Sequence, residues 1–559
     1  MQQEANRTWW KDKIVYQIYP KSFYDSNGDG IGDLRGIIEK LPYLQDLGVD
    51  VLWICPFYQS PMADNGYDIS DYYRIDPQFG RDEDVPALIA AADQCGIKII
   101  IDLVINHSSW EHAWFKAALA DPTGEYGQYY YIREGQNGQP PTNWRSLFGG
   151  NAWEPIRDTG LYYLHVFGKE QPDLNWENPV VREKLFEMVN WWLDQGVAGF
   201  RIDAITFIKK NLDFPMLEPD QPDGMAYIQK ASLNMPGIEA FLGELRDRAF
   251  KPHNCMTVAE APGVSAADLP KYVGENGFFS MIFDFSLADI DLVEDVWHIT
   301  SGWTVKDFRD KFYALMDATQ RIGWSANYFE NHDQPRSLNK YFPPEDIGYT
   351  TATMLATLLF FSRGTPYIYQ GQELGMVNTP VESMAEYNDL STHDKYSRAR
   401  ESGLTHDQAM AAMFARSRDH ARFPFPWDAS EKAGFTTGNP WLKINPNNRT
   451  INAAAQVHDP HSIHAFYKRL IALRKTSVWR DTIVFGDFAV YPVEDEQVIA
   501  FTMSRATEQL LILVNFQNQA TSVQADASFA TVVSDNVGSV IRAGSLITLQ
   551  PYQALVLAN

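Results

Sequence analysis

Three cysteines in 559 residues, Cys55, Cys95 and Cys255, are too few and too scattered to build a disulfide framework or a thiolate zinc site. Positive charge is also scarce, because 47 Lys and Arg residues face 71 Asp and Glu residues, giving a formal net charge of −24. A chain this acidic repels phosphate backbones and anionic lipid. We therefore expect no nucleic-acid partner and no membrane partner.

Long apolar runs are absent as well. The longest, such as 354–361, fall well short of the roughly 18 residues that a membrane-spanning helix needs. The first ten residues, MQQEANRTWW, do not have the basic segment and apolar run of a secretory signal. Since the few cysteines fit a reducing compartment, we expect a cytoplasmic protein that is a monomer or a weak homodimer.

Short apolar runs alternate with segments of helical period from about residue 10 to 375. Most runs have apolar residues at consecutive positions, as in strands buried on both faces of a parallel sheet. Apolar residues at helical spacing, such as Val181, Leu185, Met188 and Trp192, predict amphipathic helices between them. The repeated order predicts either a β/α barrel or an open doubly wound sheet. The predicted strands are 14–19, 51–55, 98–104, 198–202, 256–259 and 366–369.

Two stretches interrupt this alternation, and a third follows it. Residues 107–177 are rich in Gly, Pro and aromatics and resemble a lobe inserted after an early strand, while 377–448 is polar and irregular. From 481 to 559, short apolar runs between turn residues predict an antiparallel β-sandwich domain. The strand–helix core would then comprise 1–106 and 178–480, the latter containing the irregular insertion.

Asp203 and Glu260 each follow directly on an apolar run, and Asp333 closes the segment 327–332, so each acid lies at the carboxyl end of a predicted strand. In a β/α barrel the carboxyl ends of the strands converge on one face, which holds the active site. Acids gathered there repel one another, and burial raises at least one pKa, so that one ionised and one protonated carboxyl coexist at neutral pH. Glycoside hydrolysis uses such a pair on either side of the scissile bond.

Cationic and imidazole neighbours support this interpretation. Arg201 lies two residues before Asp203 on the same strand face, where its guanidinium would keep the carboxylate ionised. His332 and Arg336 flank the third acid, and His107 ends another strand. A lone acid at such a position more often caps a helix, and a lone His more often makes a structural hydrogen bond. The combination favours a functional site that binds sugar hydroxyls.

Several motifs in this order carry a resemblance to a known family. Any one of them alone is weak evidence, but together they are specific. They are DNGYDISDY (64–72), DLVINH (102–107), QPDLNW (171–176), GFRID (199–203), VAE (258–260), ENHDQPR (330–336) and GTPYIYQGQELGM (364–376). The sequence resembles the α-amylase family of retaining α-glycosidases, specifically its oligo-1,6-glucosidase and α-glucosidase branch.

The resemblance implies an α/β fold, with a (β/α)8 TIM barrel, a lobe inserted after strand 3 and a C-terminal antiparallel β domain. It implies that Asp203 is the nucleophile, Glu260 the general acid/base and Asp333 a residue that binds the sugar as its ring flattens. A closed pocket would hold one terminal glucose, and a covalent glucosyl-enzyme would retain the α configuration. The residues implied to bind this glucose are Asp64, Tyr67, His107, Phe167, Arg201, His332 and Arg336.

Oxygen-bearing side chains alternate in the segment DSNGDGIGD, residues 25–33. This pattern resembles the first part of an EF-hand calcium loop, without the late bidentate Glu. In the resembled branch the corresponding loop can hold a calcium ion away from the active site. We expect a structural Ca2+, with Mg2+ as the alternative, and no organic cofactor. The expected ligands are Asp25, Asn27, Asp29, the carbonyl of Ile31, and Asp33.

Linkage specificity depends on few positions. In the resembled branch, Val after the nucleophile accompanies α-1,6 preference, whereas Ala or Thr accompanies α-1,4 or broad use. Ala204 departs from the α-1,6 pattern, and Val264, after the acid/base, is shared with many α-1,6 members. We expect exo hydrolysis of terminal α-1,6-linked glucose from isomalto-oligosaccharides and related short α-glucosides. The segment ARFPFPWD, residues 421–428, departs from the RTPMQWD form of the branch and is expected to line the outer substrate sites.

The nearest alternative is an α-1,4-glucosidase (maltase), or a broad α-glucosidase with transglucosylation, because of Ala204. A sucrose isomerase and the non-catalytic binding subunit of a transporter are more distant alternatives. The transporter subunit would lack the full set of acids and would carry a membrane helix. A metal-dependent hydrolase would need clustered His and carboxylate ligands, which the scattered His residues do not supply.

Overall fold

The computed structural model describes residues 8–220, 223–293 and 296–559, and a closed barrel of eight parallel strands lies at its centre. The barrel strands are β1 (Val15–Ile18), β2 (Val51–Ile54), β3 (Lys98–Val104), β4 (Gly199–Asp203), β5 (Met256–Glu260), β6 (Met281–Phe283), β7 (Ala326–Asn327) and β8 (Thr365–Tyr369). Each strand pairs with its neighbours in sequence, and β1 also pairs with β8. This closure selects the barrel over the open sheet and confirms the predicted fold class.

Amphipathic helices connect the barrel strands. The helical spacing at 181–192 is confirmed, because Val181, Leu185, Met188 and Trp192 form the buried face of a helix that begins at Pro179. Helices of eight or more residues in the described part are α1 (Leu34–Leu47), α2 (Asp84–Gln94), α3 (Ala113–Ala120), α4 (Pro179–Asp194), α5 (Ile238–Leu245), α6 (Val305–Ile322), α7 (Tyr349–Phe361), α8 (Leu390–Glu401), α9 (His406–Arg416) and α10 (Ile463–Thr476). None of the helices in the described ranges is long and apolar enough to cross a membrane.

The chain between β3 and β4 contains a small antiparallel sheet of three strands, Ile132–Glu134, Leu161–Leu164 and Trp153–Ile156. Its apolar cluster includes Trp153 and also Ala204, the residue that follows β4. The lobe therefore packs directly on the carboxyl end of the barrel.

The C-terminal strands form two antiparallel sheets. These strands are β9 (Asp487–Val490), β10 (Val498–Arg505), β11 (Glu508–Asn515), β12 (Thr521–Gln524), β13 (Thr531–Asp535), β14 (Ile541–Ala543), β15 (Leu546–Leu549) and β16 (Ala554–Ala558). One sheet has the order β9-β10-β11-β16-β13 and the other β12-β15-β14. Leu511 and Leu555 of the first sheet share an apolar cluster with Ile547 of the second, so the two sheets pack as a sandwich.

Aromatic rings join the barrel to the C-terminal sheets. The ring of Phe516 stacks on Phe342 with centroids 5.3 Å apart and lies 5.1 Å from Phe308 on α6. The Tyr313 hydroxyl donates to the Ala500 carbonyl at 2.9 Å and accepts from the Ala500 N–H at 2.8 Å. The barrel and the sandwich therefore share a packed apolar core.

Replacing this ring should destabilise the whole chain. Phe516→Ala removes a side chain that is only 4% exposed and leaves a cavity between the two domains, so unfolding should become easier by about 3–5 kcal/mol. The midpoint of urea unfolding measures this change. The matched control is Val478→Ala, at a side chain that is 82% exposed, which should change stability by no more than about 0.5 kcal/mol. Equal midpoints for the two variants would contradict the packing argument.

Candidate active site

Three neighbouring strands direct carboxylates at one buried guanidinium. Arg201 on β4 donates through Nη1 to Asp102 on β3 at 2.6 Å and to Asp203 at 2.7 Å. Its Nη2 donates to Glu260, at the end of β5, at 2.7 Å. Close packing of β4 on β5 requires glycine at position 199, where a Cβ would lie 1.8 Å from the Met256 carbonyl oxygen. Two of the predicted catalytic acids therefore share one cation.

Burial and the Arg201 guanidinium act in opposite directions on the pKa of Asp203. Burial raises the pKa of Asp203 well above its usual range, and the nearby carboxylates of Glu260 and Asp102 add to the effect of burial, while Arg201 opposes it. Arg201 contacts Asp203 as expected, but the guanidinium is divided among three carboxylates, and burial outweighs its effect on the pKa of Asp203. A pair of carboxyl groups, one ionised and the other protonated, can supply both a nucleophile and an acid.

Asp333 completes the set of three acids, although β7 ends at Asn327 and does not extend to it as predicted. Its Oδ1 accepts hydrogen bonds from Arg418 at 3.1 Å and Arg422 at 2.7 Å, and its Oδ2 lies 3.0 Å from His332 Nε2. Burial acts against ionisation here, but His332 and Arg418 outweigh it and hold the pKa of Asp333 well below its usual range. Asp333 is therefore an anion with a fixed position.

The imidazole of His332 is fixed on both sides. Its Nδ1 lies 2.9 Å from Gln17 Nε2, and its Nε2 lies 2.5 Å from the Tyr67 hydroxyl. The rings of Tyr67 and His332 stack with centroids 5.2 Å apart and an angle of 11°. Tyr67 also lies with its ring 5.8 Å from the Arg201 guanidinium, so the tyrosine spans the two clusters of acids.

The inserted lobe and the chain after β2 provide another wall. Gln171 Nε2 donates to Asp64 at 3.1 Å, and His107 Nε2 lies 2.9 Å from the Tyr67 carbonyl oxygen. The ring of Phe167 lies 5.3 Å from that of His107. Burial lowers the pKa of His107 to about 4, so its imidazole is neutral at pH 7. Neutral imidazole, amide and carboxylate groups suit the exchange of hydrogen bonds with sugar hydroxyls.

Arg336 is not part of this wall, which corrects its predicted role as a glucose ligand. The side chain is fully buried and donates to Glu330 at 3.0 Å and to the Gln370 carbonyl at 2.9 Å. The guanidinium groups that do reach Asp333 belong to Arg418 and Arg422, which the sequence analysis missed.

Arg418 and Arg422 come from the irregular insertion. Arg418 Nη2 lies 3.3 Å from Asp64, and its Nε donates to the buried Asp389 at 2.9 Å. The only signal in the sequence was two arginines four residues apart in SRDHAR, residues 417–422. The insertion that the sequence shows as polar and irregular contains α8 and α9, and it supplies cations to acids from two other parts of the chain.

Further expectations concern Ala204 after β4, Val264 after β5, and the segment 421–428. Ala204 has φ 44°, a conformation in which a β-branched residue would be strained, and its N–H donates to Glu260 at 3.2 Å. Val264 is half-buried against the main apolar core.

The segment 421–428 differs from the RTPMQWD pattern at Phe423 and Phe425, and both side chains are fully buried. They therefore lie in the core and do not line outer substrate sites as expected.

The oxygen atoms of the 25–33 loop already accept hydrogen bonds from the loop itself. Asp25 accepts from the Gly28 and Gly30 N–H groups, both at 2.7 Å. Asp33 accepts from the Gly36 N–H at 2.6 Å and caps α1. The all-oxygen donor set of the loop fits Ca2+ chemistry. Among the residues that the structure describes, however, no group of three acidic, His or Cys side chains is arranged to hold a metal ion.

A closed β/α barrel carries its active site at the carboxyl ends of its strands, and a pair of acids gathered there is the arrangement that glycoside hydrolysis uses. Residues 17–482 match the model of the alpha-amylase catalytic domain. The chain therefore belongs to the α-amylase family, and it is a glycoside hydrolase.

Three relatives are similar to this chain over nearly its whole length. The oligo-1,6-glucosidase of Parageobacillus thermoglucosidasius is 43% identical over 516 residues, which cover 92% of this chain and 91% of the relative. The solved trehalulose synthase of Pseudomonas mesoacidophila is 38% identical with a TM-score of 0.92, covering 98% of this chain and 99% of that one. The trehalose-6-phosphate hydrolase of Bacillus licheniformis is 38% identical with a TM-score of 0.90, at the same coverage.

The electrostatics of Asp64 predict an acid limb in the pH profile. Burial, opposed by Arg418, raises the pKa of Asp64 to about 6. An acid with a raised pKa loses its charge as the pH falls through that value, and protonated Asp64 can no longer accept two hydrogen bonds. We expect kcat/KM to decrease as the pH falls below about 6. The midpoint of this decrease should shift in Asp64→Asn.

The control for this profile is Asp247→Asn, because Asp247 is an acid on the surface, paired with Arg246. It should keep the parent profile. An Asp64→Asn variant whose acid limb keeps the parent midpoint would contradict the assignment.

Proposed function

We propose that this protein is an exo-acting, retaining α-glucosidase that removes terminal α-1,6-linked glucose from isomalto-oligosaccharides and related short α-glucosides. The observation that carries the proposal is the shared contact of Asp203 and Glu260 with one guanidinium, beside an ionised Asp333. The similarity to oligo-1,6-glucosidases over nearly the whole chain supports the same substrate class.

In the proposed reaction, Glu260 protonates the glycosidic oxygen while the Asp203 carboxylate attacks the anomeric carbon of the terminal glucose. The leaving sugar departs, and glucose is held as a covalent ester on Asp203. Glu260, now ionised, takes a proton from water, which attacks the same carbon and releases α-glucose. Asp333 accepts hydrogen bonds from ring hydroxyls, and these strengthen as positive charge develops on the ring.

The wall formed by Asp64, His107 and Phe167 supports exo action. These residues come from the chain after β2 and from the segment that contains the inserted lobe, and they meet at the carboxyl end of the barrel beside the acids. A wall at this position would close the pocket around a single non-reducing terminal sugar. A small α-gluco-oligosaccharide is therefore the proposed substrate.

A broad or α-1,4-specific α-glucosidase is the second candidate, and Ala204 favours it. A methyl group beside Glu260 leaves more room than an isopropyl group, and a difference of this size changes discrimination by about 1–3 kcal/mol. Isomerisation of sucrose is a further alternative, because a solved trehalulose synthase with its substrate sucrose is also similar to this chain.

A panel of maltose, isomaltose, panose, sucrose, trehalose and dextran tests the proposal, with products identified by anomeric NMR. We expect release of α-glucose, with kcat/KM for isomaltose above that for maltose, and no attack on the interior of dextran. Asp203→Asn should lose activity by ~10³-fold or more, because no nucleophile remains to form the ester.

The matched control for Asp203→Asn is again Asp247→Asn, which should keep the activity of the parent. Near-normal turnover by a folded Asp203→Asn protein would refute the mechanism. A higher kcat/KM for maltose would transfer the assignment to the α-1,4 alternative, and isomaltulose or trehalulose formed from sucrose would favour the isomerase.

We also propose that the 25–33 loop binds Ca2+, with Mg2+ as the alternative, through Asp25, Asn27, Asp29, the Ile31 carbonyl and Asp33. The side-chain oxygens retain free lone pairs beside their hydrogen bonds, and a cation would draw them together. Binding to the folded state would stabilise it by mass action.

Chelation should therefore lower the melting temperature and leave kcat of the remaining folded enzyme unchanged, and added Ca2+ should restore the melting temperature. Differential scanning fluorimetry with and without chelator measures the shift. Asp29→Ala should abolish the response to Ca2+, whereas Asp46→Ala, on the exposed surface of α1, should retain it. A parent protein with the same melting temperature in chelator and in excess Ca2+ would contradict the proposal.

A further inference from the structure

The strand that precedes Asp333 is too short to position it. β7 consists of Ala326–Asn327, and residues 328–336 belong to no helix or strand. Nevertheless, His332 and Asp333 both make several close contacts in the site. Interactions other than strand pairing must hold this segment.

The buried carboxylate of Glu330 links the two ends of the segment. Its Oε1 accepts hydrogen bonds from the Ser337 N–H at 2.9 Å and the Ser337 hydroxyl at 2.6 Å, and its Oε2 accepts from Arg336 at 3.0 Å. Residues 331–335 are thereby enclosed in a loop closed by a side chain. Since Ser337 begins a short helix, the carboxylate also satisfies a backbone N–H group that helix geometry leaves free.

Arg336 attaches this loop to the end of β8. Its guanidinium donates to the Gln370 carbonyl at 2.9 Å and lies over the Tyr369 ring at 5.0 Å. Its backbone N–H donates to the Asn378 side chain at 3.0 Å. The loop that carries the third acid is therefore tied to the barrel wall at a point away from the sugar pocket.

The imidazole of His332 is held by the strand next to β8. Gln17 on β1 contacts its Nδ1, and Gln17 is paired with Tyr369 in the parallel register of β1 and β8. One edge of the barrel thus anchors the loop through Arg336 and the imidazole through Gln17. Movement of either anchor would displace His332 and Asp333 relative to Asp203.

We propose that Glu330 and Arg336 form a positioning pair, which acts on catalysis by holding His332 and Asp333 in place and never touches the substrate. The inference rests on the role proposed above for Asp333. A buried pair is sensitive to the loss of one partner, since the other is left as an uncompensated charge. A shift of 1 Å in a reacting constellation can cost about 10²-fold in rate.

Glu330→Gln tests the pair with little change in volume. The amide oxygen can still accept from Ser337, but the charge opposite Arg336 is lost. We expect kcat for isomaltose to fall by about 10- to 100-fold, with KM changed by less than about threefold, because Asp333 binds the transition state more tightly than the substrate. Arg336→Lys should also lower kcat with little change in KM. An ammonium group lacks the planar set of donors with which the guanidinium reaches Glu330 and Gln370 together.

The matched control is Arg474→Lys on α10. This arginine is also fully buried and donates to a backbone carbonyl, that of Phe360, at 2.8 Å, but no contact links it to the acids. It should lower the melting temperature and leave kcat per folded molecule at the parent value. Folded fractions from circular dichroism correct all rates. A Glu330→Gln rate within about twofold of the parent, or one that falls only with the folded fraction, would overturn the inference.

Ser337→Ala provides a milder variant in case Glu330→Gln does not fold. It removes one hydroxyl bond to Glu330 and retains the backbone bond, so kcat should fall by about two- to fivefold with KM unchanged. A parent-like kcat in this variant would then overturn the inference. Failure of the proposed function has a different signature: Asp203→Asn would remain active. If Asp203→Asn is inactive and Glu330→Gln is fully active, the proposed function stands and only the positioning pair is refuted.

Discussion

The organisation of the site depends on one guanidinium shared by three carboxylates. Arg201 reaches Asp102, Asp203 and Glu260 from three adjacent strands, and this is possible because the parallel register of the barrel aligns their carboxyl ends. Burial raises the pKa of Asp203, and the carboxylates of Glu260 and Asp102 add to this rise while Arg201 opposes it. The barrel therefore determines the electrostatic environment of these acids as well as their positions.

Asp333 has the opposite environment. Two arginines and a histidine surround it, and they hold its pKa well below the usual range although burial opposes ionisation. Both arginines come from the polar insertion, where Asp389 offsets part of their charge. The cluster around Asp333 thus has more cations for each carboxylate than the cluster around Arg201. This difference gives carboxyl groups of the same type different chemical roles.

Much of this arrangement could be predicted from local patterns. Apolar runs at consecutive positions indicated the buried parallel strands, and the acids at their ends indicated the catalytic face. Arg336 was assigned wrongly because a motif places an arginine near an acid along the chain without specifying where its side chain points. Arg418 and Arg422 were missed because they lie about 85 residues beyond Asp333 in the chain and carry no periodic signal, and only folding brings them to it.

The sequence alone determined the alternation of strands and helices, the class of the reacting groups and the positions of Asp203 and Glu260 at the ends of their strands, since these depend on local spacing and side-chain chemistry. Only the tertiary structure decided which arginine pairs with which acid, and hence the direction in which the pKa of Asp203 and of Asp333 shifts. It also placed Phe423 and Phe425 in the core. The reason is physical: burial and Coulomb interactions act through space, so the pKa of an acid depends on neighbours that are distant in the chain.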